Sequence, residues 1–348
     1  MNFHPPARGR RVRSDARRAI VRSVLAAAAL LGLGAAPVFA NEPAFPQRPV
    51  TLVVPFAAGG SLDVTARILA ERMKDTLGQQ VLVANRPGAG RTLGARAVAT
   101  AAPDGYTLLF ASGSAYGFLH LLLRGFNHQL ADFVPIAGVA NNTSVIAANS
   151  ALPVKSLTEL VTLARDKPGT LNFCSTGMGG LNHLQLEMFK RQARAGGAAI
   201  ELTHVPYNGV APALTALRTR EVQACMLPYS ALLKNLDGKE IRVLAVQRGK
   251  RLGSMPQVAT TGEQGFPGMD GNDALVNLSA PKGTPPAVLQ TLENAVRTAM
   301  QDPAVIRRLE EIDVQPTFVG AAETQKWLED DVRKFSTLIR ETGITAQP

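Results

Sequence analysis

Apolar and polar positions along the chain fall into blocks whose period switches between that of a strand and that of a helix. Val50-Thr51-Leu52-Val53-Val54 is an apolar run of strand length, closed by Pro55-Phe56-Ala57-Ala58-Gly59-Gly60-Ser61. Val64, Ile68, Met73 and Leu77 then share one side of a helix predicted over 63–77. Strand-like 80–83, a small-residue helix over 93–101, the turn Pro103-Asp104-Gly105 and a strand at 106–110 follow. This βαβαβ order predicts a parallel sheet with helices on both faces.

The rhythm restarts near residue 155. Ser156-Leu157-Thr158-Glu159 is a capping box opening a helix with Leu157, Leu160, Val161 and Ala164 inward. Strand-like 171–174 runs into Ser175-Thr176-Gly177-Met178-Gly179-Gly180 and a helix over 181–194. A strand at 201–205 leads through Tyr207-Asn208-Gly209 to a helix carrying Leu214 and Leu217, and strands at 222–227 and 241–246 complete the set. From 286 onward the pattern reads as helical, with one stripe at Val288, Leu292, Ala295 and Val296 and another at Leu328, Val332, Phe335 and Ile339. Two α/β units and a helical return predict two lobes around a cleft. Open α/β sheets bind ligands beyond the carboxyl ends of their strands. The glycine turns at 59–60, 88–90, 177–180 and 209 are therefore expected to face that cleft.

Composition changes the picture chiefly at the amino end. Seven arginines between Arg8 and Arg22 precede an uncharged Ala/Leu-rich stretch, and Val38-Phe39-Ala40 fits a small-x-small cleavage site before Asn41. Residues 1–40 are expected to be an export signal that is removed. The competing reading is a retained anchor, for which 23–41 is near the minimum span. Arg17-Arg18 resembles part of a twin-arginine signal, which leaves the export route open. The full chain has 37 Lys+Arg against 27 Asp+Glu; without the first 40 residues the balance is 30 against 26, or +4. That excess is spread out and not interleaved with aromatics, which gives no support for nucleic-acid binding. The remaining 308 residues suffice for two domains. Cys174 and Cys225 exclude a disulfide-rich scaffold or a zinc ribbon, and fit either one disulfide or two small buried hydrophobes.

A glycine pair between strand and helix leaves backbone N–H groups uncovered at the positive end of the helix, with Ser61 placed to cap it. The segment from Phe56 to Ser61 is thus built like a receptor for a small anion such as a carboxylate, or is an ordinary strand–glycine–helix turn that binds nothing. Asp63 complements the helix dipole or orients a water or a ligand ammonium. Tyr207 and Asn208 offer hydroxyl and amide groups, or serve ordinary turn chemistry. His183, just inside a helix, either makes a local hydrogen bond or reaches a ligand. A nucleotide site is disfavoured, because Gly88-Ala89-Gly90-Arg91-Thr92-Leu93-Gly94 misses the dinucleotide spacing by one residue and no phosphate-loop Gly-Lys-Ser/Thr occurs. Gly-x-Ser-x-Gly and His-x-x-x-His are also absent, and Cys174 has no evident base beside it.

Several segments, taken in order, carry a family resemblance. They are 49–56 with Gly59-Gly60-Ser61 and Asp63, Leu77-Gly78-Gln79, Asn85-Arg86-Pro87-Gly88-Ala89-Gly90, 102–108, Val205-Pro206-Tyr207-Asn208-Gly209, 280–285 and Gly343-Ile344. From about Phe45 to its end the chain resembles the Bug or TctC-like extracytoplasmic solute receptors of tripartite tricarboxylate transporters. The resemblance implies an α/β, two-lobed periplasmic binding protein fold of type II-like form. Each lobe would be a mixed, mainly parallel sheet flanked by helices, with 45–144 plus 252–348 as lobe 1 and 145–251 as lobe 2. It implies a small organic carboxylate as ligand, no cofactor or metal, no catalysis, a periplasmic monomer, and membrane permease subunits as partners. Ligand contacts carried over by position are Phe56, Ala57, Ala58, Gly59, Gly60, Ser61 and Asp63 from lobe 1. From lobe 2 they are Ser175, Thr176, Gly177, Tyr207, Asn208 and Gly209. The chain departs from the family pattern at Ala58, where proline is frequent, and at Gly179-Gly180, where Gly-Ser is usual. It departs again at Gln223, where aspartate is common, and near Leu275, where a tryptophan is usual. A receptor feeding a sensory system and a hydrolase on the same fold are the alternatives.

Overall fold

The computed structural model describes Met1 and residues 45–123, 125–207, 209–232, 239–270, 274–312 and 314–344. Residues 2–40 of the expected signal, and Asn208, lie outside them. The strands and helices all belong to one compact unit, Phe45–Pro348.

The first stretch runs β1 (Val50–Val54), α1 (Ser61–Leu77), β2 (Val81–Asn85), α2 (Thr92–Ala99), β3 (Thr107–Ser112), α3 (Leu119–Leu122) and β4 (Phe133–Asn142). The second runs β5 (Ser144–Asn149), α4 (Leu157–Asp166), β6 (Leu171–Ser175), α5 (Leu181–Ala195), β7 (Leu202–Pro206), α6 (Val210–Arg218), β8 (Ala224–Pro228), α7 (Tyr229–Leu232) and β9 (Ile241–Val246). The chain ends with β10 (Ala274–Pro281), α8 (Pro286–Met300), α9 (Pro303–Glu311), β11 (Gln315–Gly320) and α10 (Ala321–Thr342).

Two sheets result. Sheet 1 has the order β11-β4-β10-β3-β1-β2 and sheet 2 the order β7-β6-β8-β5-β9. β1 lies parallel to β2 and β3, while β10 and β11 run antiparallel to their neighbours. In sheet 2, β6 is parallel to β7 and β8, and β5 antiparallel to β8 and β9. The sheets are mixed, and their parallel pairs are those formed by the βαβ units read from the sequence. Residues beyond 286 are not all helical: β11, a short strand with Pro316 in it, interrupts them and takes an edge place where a missing N–H is tolerated.

Helices cover both faces of each sheet. Ile68, Leu69 and Met73 of α1 and Leu292 and Val296 of α8 pack on Leu52, Val54, Phe110 and Leu278. The opposite face holds Ala95 and Val98 of α2 with Val53, Leu109 and Tyr116. Phe173 and Met226 meet Leu160 of α4 and Phe189 of α5, and Val145 and Leu227 meet Leu214 and Leu217 of α6. A further cluster joins Leu184 and Met188 of α5 to Phe118 and Leu122 near sheet 1 and to Phe335 and Ile339 of α10. The chain crosses from β4 to β5 through Thr143 alone, whose buried carbonyl accepts the Tyr229 N–H at 2.8 Å. Cys174 and Cys225 face each other on β6 and β8 and are joined in a disulfide, with Cα atoms 4.3 Å apart.

Candidate functional site

The turn after β1 is held from below by a carboxylate. Asp63, buried in the first turn of α1, accepts the Gly59 N–H at 2.8 Å and Arg67 Nε at 3.1 Å on Oδ2, and Asn85 Nδ2 at 3.0 Å on Oδ1. Burial alone would raise the Asp63 pKa, but these donors and the Arg67 charge hold it below the usual carboxylate range. Asn85 Nδ2 also donates to the Phe56 carbonyl at 3.1 Å, so the end of β2 is tied to both ends of the turn. Gly59 has φ +83°, a left-handed backbone that glycine adopts without strain. Ala57, Ala58, Gly59 and Gly60 are exposed, and Phe56 and Ser61 half-buried. Ser61 is not the cap expected of it: Gly60 occupies the cap position, Ser61 is already helical, and no side chain caps α1.

The turn after β6 is braced differently. Ser175 is fully buried, its Oγ 2.7 Å from His204 Nε2 and in reach of the Gly177 N–H at 3.3 Å and the Gly177 carbonyl at 3.2 Å. Thr176 Oγ1 donates to Asn182 Oδ1 at 2.9 Å, and Asn182 donates onward to Ser144 Oγ and Gln185 Oε1. His183 accepts the Gly179 N–H on Nδ1 at 3.0 Å and stacks on His204, ring centres 4.0 Å apart. Burial and mutual repulsion push His183 down to about 3; burial pushes His204 down to about 4. Both rings are therefore neutral at pH 7. The Tyr207 N–H donates to the Ser175 carbonyl at 3.0 Å, which docks the turn after β7 against the same loop. The Tyr207 hydroxyl donates to Glu221 Oε1 at 2.8 Å; burial and then this carboxylate raise it to about 12. Gly209, φ +110°, caps α6 with no side-chain bond.

The structure thus places Ser175, Asp63 and the Tyr207 hydroxyl in bonds within the protein, and leaves the glycine-started helix ends without side-chain caps. Cys174, being disulfide-bonded, is not a free thiol, and the Nδ1 of His183 is engaged.

Contact between the two sheets' turns runs through a residue that was not among the sequence candidates. A Cβ placed on Gly180 would lie 3.4 Å from Arg91 Nη1 and 3.6 Å from Arg91 Nη2. Arg91 follows Gly90 and precedes α2, whose Gly94 abuts Pro55 so closely that a Cβ there would sit 2.8 Å from the Pro55 Cβ. The loops at 55–63, 85–94 and 175–180 are therefore linked neighbour to neighbour. The sequence signal for Arg91 was a lone charge inside a glycine turn; Asn85 was marked only by its place in the family segment 85–90, and Asn182 and His204 offered none. A surface groove of about 480 Å³ lies apart from these loops, beside α5, β7 and α10. Of its charges, Lys190 pairs with Glu187 and Arg191 with Glu341, both at 2.5 Å. Among the described residues no cluster of His, Cys, Asp or Glu could hold a metal, and no helix is long and apolar enough to cross a membrane.

The family model of the tripartite tricarboxylate transporter family receptor, TctC, matches residues 65–344. Protein BugT of Bordetella pertussis is 34% identical over 311 residues, covering 89% of this chain and 93% of that protein. The chain belongs to the TctC receptor family. An R. palustris protein solved with adipate superposes with TM-score 0.77 at 30% identity, covering 86% of this chain and 99% of the other. The periplasmic binding protein BugD superposes with TM-score 0.74 at 29% identity, covering 87% and 100%. The two sheets are thus the two lobes of a periplasmic binding protein fold. In this TctC receptor Asp63 braces Gly59, and Arg91 lies where the turns of the two sheets approach.

Proposed function

We propose that the protein is a periplasmic receptor, freed from its 1–40 leader, which captures a small carboxylate-bearing anion and hands it, as a monomer, to the membrane permease subunits of a tripartite transporter. The cleft lies between 45–144 plus 252–348 and 145–251. One observation carries the reading: α1 from one sheet and α5 and α6 from the other all begin at glycine with no side-chain cap. Each such helix start contributes about 0.3–1 kcal/mol toward an anion, and each charge-assisted bond to a backbone N–H about 1.5–3 kcal/mol. Three or four contacts, less ordering costs, reach the roughly 8 kcal/mol of a micromolar complex. The disulfide fits an oxidising compartment. The adipate bound to the R. palustris relative supports a carboxylate of similar size.

Catalysis has no support in the Ser175–His204 contact, because Ser175 has no accessible surface for a substrate to reach. The test is calorimetric titration of the protein lacking residues 1–40 with succinate, malate, adipate and citrate, alongside their amides. Saturable micromolar binding of at least one acid, without turnover, is expected. Failure of every acid to bind, or turnover of an ester or amide, overturns the reading.

A further inference from the structure

We infer that Arg91 is the specificity-determining residue of this cleft: its guanidinium takes a second acidic group of the ligand, so that the receptor selects dianionic acids over monoanions of equal length. The inference rests on the carboxylate-receptor reading above. Three consecutive residues, Ala89, Gly90 and Arg91, have φ of +46°, +63° and +80°. Side-chain-bearing residues hold such backbone only where the surroundings fix them. What the conformation achieves is to aim the guanidinium at the lobe 2 turn, within 3.4–3.6 Å of where a side chain on Gly180 would stand.

Charge makes the placement informative. Gly180 begins α5, whose first N–H groups carry partial positive charge and have no side-chain cap. A cation beside them is repelled unless an anion lies between. Among the described residues Arg91 meets no carboxylate, and its Nε donates to the Gly90 carbonyl at 3.2 Å. Crowding by neighbouring atoms lowers the Arg91 pKa to about 10, so the side chain stays charged at neutral pH. A ligand carboxylate would satisfy the fork of guanidinium donors and the helix start together.

The test compares succinate with succinamate, and adipate with its monoamide, by calorimetry on the wild-type protein and on Arg91→Gly, Arg91→Lys and Arg91→Gln. Glycine is relaxed at φ +80°, so Arg91→Gly is expected to melt no lower than wild type. Its affinity for the diacids should fall about 10- to 100-fold, with less than about threefold change for the monoamides, and Arg91→Lys should recover part of the loss. Equal loss for acid and amide, no loss for either, or a wild-type preference for the monoamides overturns the inference and leaves the receptor standing. Failure of wild type to bind any anion removes the receptor reading and this inference with it.

Discussion

The Gly59 N–H donates to Asp63 Oδ2 at 2.8 Å, so the glycine turn after β1 is shaped by a carboxylate lying beneath it. Asp63 is thereby a positioning residue, its other lone pairs taken by Arg67 and Asn85. Asp63→Ala should lower stability by about 2–3 kcal/mol by orphaning these donors, read as a shift in the denaturation midpoint. Anion affinity should fall alike for every acid tested. A selective loss for amino acids would instead make Asp63 a partner for a ligand ammonium.

The stacked pair His183 and His204 makes stability depend on pH. Their folded pKa values, about 3 and about 4, lie below the unfolded value of roughly 6.5. Between those limits the unfolded chain binds protons that the folded one does not. The contribution is complete above about pH 6.5 and is lost progressively as pH falls, down to about 4 for His204 and about 3 for His183. Allowing for the partial exposure of His204, the total loss is roughly 2–4 kcal/mol. Urea titrations at about pH 7 and about pH 4.5 measure it, and His183→Gln with His204→Gln should flatten the slope; an unchanged slope defeats the assignment.

Gly94 permits the close approach of α2 to the first turn. In Gly94→Ala the new Cβ would meet the Pro55 Cβ at 2.8 Å and its Cα at 2.9 Å. A cost of about 1–3 kcal/mol is expected, together with displaced 56–61 backbone and weaker anion binding. Wild-type stability and affinity in this variant would contradict the linkage of the two loops.

The Cys174–Cys225 bridge closes a separation of 51 residues within sheet 2. Replacing both by alanine should cost about 2–4 kcal/mol, seen in the midpoint of chemical unfolding. A loss below about 1 kcal/mol would mean that the packing of β6 on β8 suffices alone.

Much of the frame was legible because period and punctuation agree in the βαβ units: Val50 to Leu77 and Leu171 to Ala195 were read within two residues of their observed ends. β4, β5 and β10 were not read at all. They are continuous buried runs without alternation, and β10 carries buried Asn277 and Ser279, satisfied partly within the strand and partly by a residue 161 positions away: Asn277 Oδ1 accepts from Ser279 of the same strand and from the Tyr116 hydroxyl. At the site, glycine turns announced their positions but not their inner bonds. Nothing local in Ser175 announces His204, 29 residues on, and nothing in Tyr207 announces Glu221. Those partners are chosen by strand order, which no short window contains.

Because β10 sits between β3 and β4 yet follows β9 in the chain, the two sheets cannot be finished in the order in which synthesis begins them. Sheet 2 has all its strands by Val246, whereas sheet 1 lacks β10 until Pro281 and β11 until Gly320 have emerged, and the facing edges of β3 and β4 stay unpaired until β10 arrives. A growing polypeptide therefore completes its later-started half first, and the earlier half stays vulnerable to edge-to-edge aggregation until the last quarter arrives.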